Sequence, residues 1–157
     1  MQTDHAESLR LVAEDETDLE VVSALLQDAI IVGADMHYDP QNNCFMIVAN
    51  RFCWERSALA DMSDSSGGAV RERALCGVRI NHVTAVQKRR WPADWRDAFL
   101  NLLALKLLAM PQKDSGCMME FSFSGGPSMR LITKQINIVL GDLDGGRPTN
   151  LQPRHDL

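Results

Sequence analysis

The chain has 157 residues, 45% of them hydrophobic and 24% charged, with a formal net charge of −5. That length fits one domain with a core of ordinary size, and the acidic balance argues against a generic nucleic-acid binder. No apolar run approaches the ~18 residues that cross a bilayer: the longest, "AFLNLLALKLLAM", is interrupted by Asn101 and Lys106.

The stretch "MQTDHAESLR" is acidic and polar, unlike a secretory signal or an Arg-rich transit peptide. A cytoplasmic protein without a membrane partner is therefore expected, with residues 1–8 as a flexible N-terminus. "LRLVAE" alternates and reads as a short strand. In "DETDLEVVSALLQDA", Leu19, Val22, Leu25, Leu26 and Ala29 recur at helical spacing. Its acidic start suits the positive end of a helix dipole, with Asp15 or Thr17 as the cap. "AIIVGADMHY" and "CFMIVANRFCWE" flank "DPQNN", and two β-rich runs around such turn residues make a hairpin.

"RSALADMSDSSGGAV", residues 56–70, is rich in Ser, Asp and Gly without periodic hydrophobicity, so a mobile surface loop is expected. "RALCGVRINHVTAVQK" resumes strand character, with Cys76, Val78 and Ile80 on one face. The same alternation puts His82 on that face, as a hydrogen-bonded core histidine. "RRWPADWRDA" is a connection. "FLNLLALKLLAM" fits a helix after Pro92, through Trp95, Phe99, Leu102, Leu103 and Lys106, and fits a buried strand as well. Periodicity does not separate the two. "CMMEFSFS" and "SMRLITK" read as strands around Gly125-Gly126. Ile136, Val139, Leu140 and Leu143 in "INIVLGDL" have the spacing of a closing helix. The tail, 145–157, reads as irregular, which leaves a single domain over 9–144.

Candidate chemistry is sparse. Gly125-Gly126 is followed by Pro127, which has no N–H to offer, and lacks both the P-loop and the dinucleotide patterns. A hairpin turn with positive φ at both glycines is the expectation. Cys44, Cys53, Cys76 and Cys117 show no C-x-x-C spacing, so reduced, mostly buried thiols are expected. Cys53 in "NRFCWERS" has Arg51 nearby to lower its pKa as a nucleophile would need, yet a buried thiol is the simpler reading. A metal set of His37, Cys44, Cys53 and His82 lacks the short spacings of zinc sites, so no metal and no cofactor are expected. "QKRRWPADWR" combines cations with two tryptophans, the ingredients of a single-stranded nucleic-acid platform, but it is short. Residues 1–28 carry eight acids against Arg10, whereas 71–96 carry seven basic residues against Glu72 and Asp94. That asymmetry suits two halves of one fold that attract each other, or else a partner surface.

In combination, "LRLVAEDETDLEVVSALLQDAI", "NRFCWE", "VTAVQ", "FSFSGGPSMRL" and "RPTNLQPRHD" resemble an uncharacterised bacterial family, domain of unknown function 2948. The resemblance runs from about Leu9 to Asp156. It implies an architecture rather than a mechanism, and it tips "FLNLLALKLLAM" toward strand. The polar residues it leaves as binding candidates are Asn50, Arg51, Glu55, Arg130 and His155, with Arg51 and Glu55 also readable as a structural ion pair.

The expected fold is therefore α+β: one mostly antiparallel, bent sheet of about seven strands, with a helix near the start and one near the end. A pleckstrin-homology-like half-barrel is the specific form expected. The leading functional expectation is a non-enzymatic binding or accessory module, acting through a protein partner or as a homo-oligomer, with no small-molecule ligand identified. A small enzyme with a dispersed Arg/Glu/His site is the alternative. Nucleic-acid binding through 88–96 comes third.

Overall fold

The computed structural model describes residues 9–53, 71–109, 116–143 and 147–149. Within them one α-helix accompanies eleven strands, and every pairing is antiparallel. The strands are β1 (Arg10–Ala13), β2 (Ile30–Val32), β3 (Met36–Asp39), β4 (Cys44–Phe52), β5 (Arg71–Ile80) and β6 (Val83–Arg89). They continue with β7 (Phe99–Ala109), β8 (Cys117–Phe123), β9 (Ser128–Thr133), β10 (Ile138–Asp142) and β11 (Arg147–Thr149). The sheet runs β1-β10-β5-β4-β2-β7-β8-β9-β6, with β3 on β4 and β11 on β5.

The helix α1 (Glu16–Leu26) starts where its sequence says it should. The Asp15 carboxylate accepts the Asp18 N–H at 2.7 Å, and Asp18 accepts the Glu14 N–H in return at 3.0 Å. One orphan donor of the first turn is thereby satisfied, and the residue before the cap is tied to it. Leu19, Val22 and Leu26 point inward, and Ser23 Oγ accepts the Leu105 N–H at 3.0 Å, tying the helix to β7. The β3–β4 turn forms at "DPQNN" as expected, with Asp39 accepting from Gln41 and Asn42.

Both ends of the sheet path feed one core, in which Leu19, Ile47, Ile80, Leu102, Phe121, Leu131 and Ile138 are buried together. The sheet curls to achieve this. The Val83 N–H donates to the Asn43 carbonyl at 2.8 Å and the Tyr38 hydroxyl to the Val83 carbonyl at 3.2 Å, bringing the last strand of the path back beside the β3–β4 turn.

Four expectations are corrected. The sheet has more strands than expected, because β2, β3 and β11 are only three or four residues long and lack a periodic signature. The closing helix is β10: Ile138 and Leu140 face the core while Val139 faces out, and the strand fills the slot between β1 and β5. The half-barrel analogy rested on strand count as well as on helix position, and α1 is the one α-helix among the described residues. His82 is not in the core. It is exposed at φ +62°, in a bend where Asn81 binds Asn137, so the alternation of β5 does not carry into β6. Residues 99–109 form a strand, as the family resemblance implied, and β11 lies within the stretch expected to be irregular. The 56–70 loop and residues 1–8 lie outside the described residues.

Candidate functional site

Of the five binding candidates, Glu55 and His155 lie outside the described residues. Arg51 is fully buried near the end of β4, on the core face with Ile47 and Ala49. Its Nε and Nη2 donate to the two carboxylate oxygens of Asp142 on β10, at 2.9 and 3.0 Å. Asp142 also accepts the Leu9 N–H at 3.0 Å. A matched bidentate pair of this kind is the geometry that lets a buried guanidinium persist. Cys76, opposite Asp142 in the sheet, has its thiol pushed up to about 12 by burial, against the pull of Arg51.

Arg130 lies elsewhere. It sits on β9, separated from β4 by β2, β7 and β8. Its Nε donates to Glu120 at 2.9 Å in a cross-strand row Gln87–Arg130–Glu120–Lys106. Arg51 and Arg130 are thus not brought together, and each holds a carboxylate. Asn50 faces away from Arg51; its carbonyl accepts from Arg73 at 3.2 Å, and its Oδ1 is buried without a hydrogen-bond partner among the described residues.

None of the four cysteines is in a disulfide and all are buried, Cys53 fully so, and a thiol without access to solvent is a poor nucleophile. No group of three or more His, Cys, Asp or Glu converges to hold a metal among the described residues. No described helix is long and apolar enough to cross a membrane. Gly125 and Gly126 form the β8–β9 turn at φ +90° and +113°, closed by Phe123 N–H to the Pro127 carbonyl at 2.9 Å. They turn the chain between the two strands.

The feature that stands out is the outer face of β1, β10, β5 and β4. Strand alternation that buries Ala13, Ile47, Val78 and Leu140 turns Val12, Val139, Met46 and Val48 outward, since successive side chains leave a strand on opposite faces. Leu75 and Leu143, the latter just past the end of β10, join them, so six large apolar side chains are between 37% and 61% exposed on this face. Between them Gly141 and Gly77 pair directly and leave a trough of about 480 Å³. Arg10 and Arg79 border the trough; the one carboxylate among its described residues, Asp142, is turned inward onto Arg51. The residue-by-residue reading missed this face. Its signal was in "CFMIVAN", an unbroken apolar run where a half-solvated strand would alternate.

The comparison with curated proteins returned no match, nor did that with solved structures. A family model matches residues 9–155, which include α1, both strands of the buried ion pair and the apolar outer face. The chain belongs to the family described as Protein of unknown function (DUF2948).

Proposed function

We propose that the protein is a non-enzymatic binding module that docks a protein partner on the outer face of β1, β10, β5 and β4. The partner presents apolar side chains flanked by carboxylates. The observation that carries this reading is the contiguous set Val12, Val139, Met46, Val48, Leu75 and Leu143 around a glycine-floored trough. Large exposed apolar patches mark interaction sites, because leaving them in water forgoes about 25 cal/mol for each Å² that could be buried. The sign of the partner follows from Arg10 and Arg79 at the trough's edge, neither of which is ion-paired among the described residues. Two copies of such a face would bring like charges together, which disfavours self-pairing.

Gly141→Val supplies the test. A Cβ there meets nothing closer than 4.0 Å, so the fold accepts it while the trough fills. A partner retained by the wild-type protein should be lost by Gly141→Val and by Val48→Asp at an unchanged melting temperature. Its retention should weaken in Arg10→Glu with Arg79→Glu. Retention by all these variants, or a dimer in light scattering that the same variants dissolve, would overturn the proposal.

A further inference from the structure

A second concave site lies at the seam where the curled sheet fails to close. β3 pairs only with β4 and β6 only with β9, so each presents an open edge among the described residues. The two strands meet at Tyr38 and Val83, and beyond that junction the space between them opens into a cavity of about 500 Å³. That volume suits a small molecule. Met36, Tyr38 and Phe45 form an apolar wall, with Tyr38 and Phe45 stacked at 6.4 Å. The opposite lip carries Lys88, Trp95 and Arg96.

The lip is built, not incidental. The backbone of Gly33 and Ala34 donates to the carbonyls of Ala98 and Arg96 at 3.0 and 2.9 Å, clamping the loop after β6 onto the 3-10 turn at Gly33–Asp35. A Cβ on residue 33 would fall 1.6 Å from the Trp95 carbonyl oxygen, so only glycine permits the approach. The Lys88 ammonium then lies 4.4 Å from the Trp95 ring centroid and 5.3 Å from that of Trp91, and the Arg96 guanidinium lies 4.8 Å from Trp95. Trp91 is braced edge-on by Phe123 at 5.7 Å.

Two cations are therefore gathered on one indole. Among the described residues no carboxylate lines the cavity, and neither cation has an ion-pair partner. Burial, and then the neighbouring Arg96, hold the Lys88 pKa below the ordinary lysine range. Cation–π contacts position such charges but do not neutralise them. The same contacts argue against base stacking, since a base would have to displace a cation from Trp95.

We propose that this cavity binds a small organic anion, its apolar body against Met36, Tyr38 and Phe45 and its acidic group at Lys88 and Arg96. The site is independent of the outer sheet face.

The probe is naphthalene-2-carboxylate, titrated into the full chain by calorimetry with amide resonances followed by NMR. It should shift Tyr38, Val86 and the Trp95 indole, and bind at least about tenfold tighter than 2-naphthalenemethanol, its neutral analogue, a difference of about 1.4 kcal/mol. Lys88→Met and Arg96→Gln should each weaken it severalfold at an unchanged melting temperature, and Gly141→Val should leave it unaltered. Equal binding of the neutral analogue, no shifts at the cavity, or indifference to both lip substitutions would overturn the proposal. So would a deoxythymidine oligonucleotide that outcompetes the probe, which would return the segment to nucleic-acid binding.

Discussion

The molecule holds basic side chains in two contrasting ways. Arg51 is fully buried, and both of its bonds to Asp142 are ideal in length. Lys88 and Arg96 are exposed, lean on tryptophan, and have no carboxylate among the described residues. In the first arrangement the protein supplies the anion itself, so the charge is spent on holding β4 to β10. In the second the anion is left for something else to provide. The residue that a motif singles out is thus the less available one, because burial makes a partner obligatory.

The sharpest way to break this contrast is to remove the cations. Arg51→Met strands a buried carboxylate and should cost about 3–5 kcal/mol in urea denaturation. Adding Asp142→Leu should return most of that loss. Lys88→Met should change stability by less than about 0.5 kcal/mol; a cost comparable to that of Arg51→Met would abolish the distinction. Gly33→Ala comes next. Its added methyl collides with the Trp95 backbone, and relief of such overpacking costs about 1–3 kcal/mol. It should also shift tryptophan emission as Trp95 and Arg96 move off Lys88.

A pH series probes the buried side of the comparison. Burial raises the Cys76 thiol pKa to about 12, so the fold favours the neutral form. Its stabilisation is complete below about pH 9, where the unfolded thiol titrates, and is lost as pH rises toward 12. Relative to Cys76→Ala, the wild-type protein should lose about 1 kcal/mol by about pH 10, read from urea midpoints at each pH. The smallest effect belongs to Arg130→Ala. Its partly exposed pair with Glu120 should contribute at most about 1 kcal/mol, and less in high salt. A larger, salt-independent loss would mean that Arg130 resembles Arg51 after all.

How far the sequence was legible depended on how local the deciding physics was. The helix α1 was readable because its cap and buried stripe lie within a dozen consecutive residues. The Gly125-Gly126 hairpin was readable because positive φ is a property of the glycines themselves. By contrast, Ile136, Val139, Leu140 and Leu143 satisfy a helical period, and only the vacant slot between β1 and β5 makes that segment a strand. His82 was misplaced because a single left-handed residue resets which face the following side chains take. "QKRRWPADWR" showed its cations and tryptophans plainly, but it also carries Asp94, and only the tertiary structure leaves that carboxylate out of the described lining of the cavity beside Lys88 and Arg96.

The sequence by itself determined the helix and its cap, the two well-marked hairpins, the burial of the cysteines and membership of the family. These follow from dihedral preferences, periodicity and cysteine spacing. The tertiary structure alone decided that Arg51 belongs to Asp142, 91 residues away. It also decided that four strands share an apolar outer face, and that the seam between β3 and β6 gathers cations without an ion-pair partner among the described residues. Each of these depends on which strands become neighbours. Sheet order is set by global burial of one core, a free energy that no single segment carries.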